Sequence, residues 1–167
     1  QLFYEKSGRR IAVHQLKVNS DKKQIGFDSL HWIGIIPRDS FFQVAGVQKD
    51  FINLHAGAGL LNGYETQERG TDTVWTINQM TIANLHAVLE RDKRYPVDTI
   101  NFRPLMTGML QKLPIQFALE RIQLSNAAVR YNEISEKKGK EGSIWFSDIN
   151  ATIRNIRNFD LNTKDSL

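Results

Sequence analysis

The chain has 167 residues, of which 41% are hydrophobic and 24% are charged, and its net charge is +4. These values are ordinary for one globular domain, and there is no run of about 20 apolar residues that would form a transmembrane helix. The absence of cysteine excludes disulfides, thiolate metal sites and cysteine catalysis. The mild positive charge permits weak contact with anionic surfaces but is not a nucleic-acid footprint, so we expect no nucleic-acid partner.

Strand patterns begin near the start of the chain and recur throughout it. Ile11 and Val13 alternate with polar residues, and the alternation resumes with Leu16 and Val18. Polar or glycine-rich clusters separate the successive runs. The cluster at 57–63 departs from G-x-G-x-x-G and no long helix pattern follows it, which favours a β-turn or bulge over a phosphate-binding loop.

Two stretches of the chain carry the same apolar pattern. The first runs from Ile77 to Leu89, the second from Leu119 to Tyr131, and matched positions are 42 residues apart. In both stretches the apolar positions change parity at an asparagine, Asn84 in the first and Asn126 in the second. One extra residue in a β-bulge would keep the apolar side chains on one face. The alternative is a pair of separate strands with a turn at each asparagine.

The two ends of the chain also resemble each other. Tyr4 followed by Ile11, and Tyr131 followed by Ile144, each predict a hairpin whose second strand changes parity. Between the central stretches, Pro104 begins a short helical pattern that Pro114 ends. We expect that helix to cover an edge or an end of the sheet.

Signals for chemistry are weak. The four histidines form neither H-x-H nor H-E-x-x-H, so a metal site would require them to meet in space, and polar-face positions are the simpler interpretation. Glu90 and Asp92 resemble a carboxylate pair, but the basic residues around them indicate a charged strand end. The basic clusters fall in turns and strand ends. We therefore predict no enzymatic activity, no catalytic or metal-ligating residues and no cofactor.

The second stretch and its hairpin resemble a known family. The sequence from Ile122 to Tyr131 reads I-x-L-x-N-x-x-V-x-Y, and that from Gly142 to Ala151 reads G-x-I-x-F-x-x-I-x-A. This pattern resembles the AsmA-like (AsmA/TamB-type) proteins of the bacterial envelope. The charged run at 91–94 before a Pro-containing link is similar to Bacteroidetes-type members. The resemblance is best over 77–155 and thinner over 1–76.

The resemblance implies a fold, a function and a location. It implies a stacked β sheet with an apolar inner face, anchored in the inner membrane through a segment outside this sequence and extending through the periplasm. It also implies transport of phospholipids between membranes and a role in the biogenesis or integrity of the outer membrane. Phospholipid acyl chains and neighbouring β units of the same full-length chain are the implied partners. We expect this sequence to be one piece of such a protein.

We therefore predict one mainly β domain over 1–167: a curved, largely antiparallel sheet of repeated bulged hairpin units with one short helix. The repeat-like units cover about 1–20, 77–95 and 119–155. The alternative functions are a structural or protein-interaction β module with an ordinary core and, ranked below it, a basic nucleic-acid-binding domain. The residues predicted for the apolar concave face are Met80, Ile82, Leu89, Ile122, Leu124, Val129, Tyr131, Ile144, Phe146 and Ile149.

Overall fold

The chain folds into a single curled sheet. The computed structural model describes residues 2–6, 8–69, 72–99, 113 and 115–159. Its strands form one 11-stranded sheet that curls into an open half-barrel, as the sequence predicted. The elements are β1 (Leu2–Lys6), β2 (Arg9–His14), β3 (Lys17–Asn19), β4 (Gln24–Phe27), β5 (Ser29–Gly34), α1 (Arg38–Ala45), β6 (Asp50–Ala56), β7 (Gly59–Arg69), β8 (Asp72–Ala83), β9 (His86–Asp92), β10 (Gln116–Ile134) and β11 (Glu141–Arg157).

Most of these strands occur as consecutive pairs, and each pair is one longer strand with a short interruption. The interruptions lie at the same position along neighbouring strands. The pairs β2–β3, β4–β5, β6–β7 and β8–β9 are each separated by one or two residues. β9 pairs with β6 while β8 pairs with β7, and the next strands outward continue the same division. The breaks therefore form a line across the sheet, and pairing is antiparallel on both sides of it.

The one exception to antiparallel order explains the sequence repeat. β10 lies parallel to β8 over its first half and parallel to β9 over its second half. Ile122 pairs with Met80 and Tyr131 pairs with Leu89, so the register of the parallel pairing equals the 42-residue offset of the repeat. Equivalent positions of the two stretches therefore lie side by side on neighbouring strands, so apolar residues lie next to apolar residues.

The bulge predicted in the second stretch is confirmed. The β10–β11 register shifts between Leu124 and Ala127, and Asn126 has a left-handed φ of 52°. A compensating shift follows on β11, where Asp148 has φ 55°. In the first stretch the predicted bulge is absent and the alternative holds, because β8 and β9 are separate strands that meet at Asn84. Asn84 has φ 53°, so both asparagines occupy the left-handed region that suits this residue type.

Both predicted hairpins are present. Tyr4 pairs with Ile11 in β1–β2, and Tyr131 pairs with Ile144 in β10–β11. The parity change within β2–β3 occurs at Gln15, which has φ 50°.

The helix of the described chain lies where the sequence analysis did not place one. Pro37 precedes α1, and Gly46 ends it with φ 64° and an N–H bond to the Phe42 carbonyl. The Phe42 ring lies 6.5 Å from that of Phe51 and 6.4 Å from that of Tyr95, so α1 covers one end of the sheet. The helix predicted to begin at Pro104 lies outside the described residues.

Full burial is confined to a few positions. Among the described residues, seven hydrophobic side chains are buried: Ala12, Phe42, Phe51, Ala56, Val74, Leu119 and Ala127. Within the same part of the chain, no helix has the length and apolar character needed to cross a membrane. Most other apolar side chains on the sheet are half-buried or exposed.

Candidate apolar face

The strand register places the predicted apolar residues in lateral rows across the sheet. Directly paired residues of neighbouring strands point to the same face. Met80 therefore shares a face with Ile122, and Ile82 shares it with Leu124. In the other half of the sheet, Leu89 pairs with Tyr131, Tyr131 pairs with Ile144, and Val129 pairs with Phe146.

The register at the bulge shows that both halves belong to one face. On β11, Ala151 and Ile149 are two residues apart in regular strand, so they point the same way. Leu124 pairs with Ala151 and Ala127 pairs with Ile149 across the register shift. Leu124 and Ala127 therefore lie on one face despite being three residues apart. All the residues predicted from the sequence share that face, which we call the apolar face.

The apolar face extends well beyond the predicted residues. Leu61 pairs with Met80, and Leu54 pairs with Ala87 beside Val129. Trp32 and Ile11 continue the Leu54 row to the far side of the sheet. Residues of β2, β5, β6 and β7 were not predicted for this face, because strand alternation alone does not reveal which strands become neighbours.

No residue of the predicted set is fully buried. Ile144 is 59% exposed and Phe146 is 60% exposed, both on the edge strand β11. At the opposite edge, Val18 is 63% exposed and Tyr4 is 56% exposed. The strands of the described chain all belong to the same sheet, so no second sheet packs on the apolar face within that part. Among the described residues, the apolar face is therefore half-buried at its centre and exposed toward both edges.

One end of the apolar face carries a paired charge cluster. Arg91 and Asp50 form a two-pronged ion pair with N–O distances of 2.7 and 2.9 Å. The next strand adds Glu133, which accepts hydrogen bonds from Lys93 Nζ at 2.8 Å and from the Tyr131 hydroxyl at 2.7 Å. These contacts place polar groups directly beside the apolar rows.

The electrostatics of this cluster follow from its contacts. Burial, with the hydrogen bond to Glu133 second, raises the pKa of Tyr131 to about 12. Hydrogen bonds from Lys93 and Tyr131 lower the pKa of Glu133. The Tyr131 hydroxyl is therefore a neutral donor at physiological pH, and Glu133 is an ionised acceptor.

The opposite face, which we call the polar face, is mostly polar apart from residues such as Phe51, on which α1 packs, and Trp145. The carboxylates of Glu90 and Asp92 near its end are engaged in ion pairs. Glu90 Oε1 accepts from Arg38 Nη1 at 3.0 Å and from Asn132 Nδ2 at 3.4 Å. Asp92 is 1% exposed and accepts both a backbone and side-chain hydrogen bonds from Arg94. These contacts lower the pKa of Asp92, with the Arg94 side-chain hydrogen bond as the largest cause. Both carboxylates support the charged-strand-end interpretation of the sequence.

The four histidines meet on the polar face, which sequence spacing did not reveal. Across the described residues, no group of three or more His, Asp or Glu side chains has the arrangement of a ready-made metal site.

Comparisons with known proteins provide no relative of this chain. No protein-family model, no curated protein and no solved structure matches it.

Proposed function

We propose that this chain is a non-enzymatic domain of the bacterial envelope that binds acyl chains on its apolar face and helps to conduct them between membranes. One observation carries the proposal: the apolar rows run across the sheet, from Tyr4 and Ile11 on one side to Phe146 on the other, and their side chains are half-buried in the middle and exposed at both ends. A large exposed apolar surface is costly in water and commonly marks a ligand or partner site.

The charge cluster supports a lipid as the occupant. Lipids combine a hydrocarbon chain with a polar headgroup, and Arg91, Lys93 and the Tyr131 hydroxyl lie beside the apolar rows, toward one end of the strands. An acyl chain lying parallel to the strands, across the rows, would bring its headgroup beside these donors. The resemblance to AsmA-like envelope proteins agrees with this occupant and suggests the periplasm as its location, with the inner-membrane anchor in another segment of the protein.

The first test is lipid binding by matched variants of the edge strand. Phe146 is on the apolar face, and its neighbour Trp145, 68% exposed, is on the opposite face. Both side chains are largely solvent-accessible, so replacing either one should leave the fold intact. We expect Phe146→Ser to weaken binding of a fluorescent fatty acid about tenfold, because burying an aromatic ring stabilises by about 1.5–3 kcal/mol.

Trp145→Ser is the control and should bind the fatty acid as the unmodified chain does. Mass spectrometry of the protein after native extraction should also detect co-purified phospholipid. Equal binding by both variants, with no co-purified lipid, would refute the proposal.

A second candidate function is that of a β module that joins other β units. β11 pairs with β10 alone among the described strands, and its side chains from Glu141 to Asp148 are all exposed. An open strand edge of this length is a template for strand addition. Further β units of the same full-length protein would extend the sheet there. Cross-linking between cysteines placed on β11 and on other segments of the full-length protein would test this arrangement.

A further inference from the structure

All four histidines of the chain lie on neighbouring strands of the polar face. His31 of β5 pairs directly with His55 of β6, which pairs in turn with His86 of β9. The ring centroids of His31 and His55 are 4.3 Å apart, while His14 lies 5.7 Å from His31 and His86 lies 6.5 Å from His55. His31 and His55, which we call the central pair, therefore have the shortest ring distance in this row of histidines.

The central pair has the geometry of a two-nitrogen chelate. His31 Nδ1 lies 3.0 Å from His55 Nδ1. Two imidazole nitrogens bound to one ion at about 2.0–2.1 Å lie about 2.9–3.4 Å apart for ligand angles of about 90–110°. The distance between the two nitrogens therefore already fits a chelate, and ion binding requires the rings to turn so that both Nδ1 lone pairs point at the ion instead of at each other.

Hydrogen-bonding groups around the pair favour the required tautomers. His31 Nε2 lies 3.4 Å from Ser29 Oγ, which can accept a hydrogen and leave His31 Nδ1 bare. In the metal-free pair, His55 Nδ1 then donates its hydrogen to His31 Nδ1. On metal binding that hydrogen moves to His55 Nε2, so both Nδ1 lone pairs become available with no net release of protons. An outer partner of this kind orients metal-binding histidines in many proteins.

We propose that His31 and His55 bind one divalent transition-metal ion between their Nδ1 atoms. Water completes the coordination, because the described residues offer no third ligand already in place. Two neutral imidazoles select ions that prefer nitrogen, with Cu²⁺ bound more tightly than Ni²⁺ or Zn²⁺ and with little affinity for Mg²⁺ or Ca²⁺.

Access suits the pair to this role, because His55 is exposed and an ion reaches the site directly from solvent. Residues adjacent to this pair, Trp32 and Leu54, point to the apolar face. The metal site is therefore separate from the proposed lipid surface, and either function can hold without the other.

The test is titration of the purified protein with Cu²⁺, followed by calorimetry and pulsed electron paramagnetic resonance. The unmodified chain should bind one ion coupled to two imidazole nitrogens. His55→Gln changes an exposed position and should keep the fold, yet it should weaken Cu²⁺ binding about tenfold or more. His31→Gln should do the same.

His14→Gln is the matched control, because it removes a histidine from the same row but not from the pair, and its affinity should stay within about threefold of the unmodified chain. Circular dichroism checks that each variant keeps its β structure. Unchanged binding in both His31→Gln and His55→Gln, or coupling to a single imidazole in the unmodified chain, would overturn the proposal. Equal loss in His14→Gln would also overturn it, since the ion would then not be confined to the central pair.

Discussion

Asn84 and Asn126 hold the break in the sheet together. They occupy equivalent repeat positions, both with left-handed φ, and Asn126 Nδ2 donates to Asn84 Oδ1 at 2.6 Å. On the β11 side, the Asn126 backbone N–H donates a hydrogen bond to Asn150 Oδ1 at 3.1 Å. Asparagine meets both demands of this site, because it tolerates the left-handed region and its amide can replace ladder hydrogen bonds lost at the bulge.

Two substitutions at Asn126 should show separately how much the left-handed backbone and the side-chain hydrogen bonds contribute to stability. Asn126→Val forces a β-branched residue into the left-handed region and should lower the free energy of unfolding by about 2 kcal/mol. Asn126→Gly keeps the backbone geometry and loses only exposed hydrogen bonds, so its cost should be less than about 1 kcal/mol. Urea unfolding of the two variants gives the comparison. Equal costs would show that backbone strain is not what selects asparagine.

Ionisation of Asp92 should make the free energy of unfolding depend on pH in the acid range. Its pKa is lowered in the folded chain from an ordinary value of 3.8, so the ionised form is the one that folding stabilises. That stabilisation is fully present above about pH 4 to 5 and disappears as the pH falls through the folded pKa. Asp92→Asn should therefore cost about 1–2 kcal/mol at pH 7, since Arg94 loses its charged partner but is itself half exposed.

Urea unfolding at pH 7 and again near pH 2 to 3 measures this difference. The gap between Asp92→Asn and the unmodified chain should shrink at the lower pH, where the aspartate loses its charge. A gap of the same size at both pH values would contradict a role for the ionised carboxylate.

At the level of elements, β10 is the strand paired most completely with its neighbours. It is paired along most of its length with β11 on one side and with β8 and β9 on the other. Amide hydrogen exchange should be slowest in β10, because exchange there requires opening of the sheet from both sides. In β11, amides that point away from β10 should exchange much faster. Uniformly slow exchange along β11 would mean that another strand covers its free edge.

The sequence patterns predicted the strands of the repeat, but they predicted few of the pairings between those strands and the rest of the sheet. The parity change at Asn126 predicted the bulge in β10, and the one at Asn84 marked the break between β8 and β9, because extra residues shift an alternating pattern. Nothing comparable marks the pairing of β9 with β6 or of β8 with β7. Those contacts depend on how the interrupted strands divide between two neighbours, which is a property of the whole sheet.

The same limit explains the missed helix and the histidine row. Pro37 and Gly46 bracket α1 and were an available signal, but eight residues with one buried side chain show little periodicity. His31 and His55 are 24 residues apart and meet only because β5 and β6 pair in one particular register. Residues brought together by register are invisible to spacing rules that consider one segment at a time.

At the scale of the whole molecule, the described chain is a one-layer sheet. An ordinary β domain buries one face of its sheet against a second layer, whereas among the described residues only α1 packs on the sheet, at one end of the face opposite the apolar rows. Ile144 and Phe146 are exposed at the edge of the apolar face. Such a sheet gains stability from whatever covers its apolar face.

A series of single-chain amphiphiles of increasing length should reveal that gain. Each added CH₂ that reaches the apolar face should contribute about 0.8 kcal/mol, so four added carbons should tighten binding roughly 200-fold. Because the ligand binds the folded chain, Tm should rise with ligand concentration and with chain length, below the concentration at which micelles form. Phe146→Ser should flatten this dependence and Trp145→Ser should keep it. Affinity that follows headgroup charge but not chain length would mean that the charge cluster around Arg91 binds the ligand and that the apolar rows are covered by protein instead.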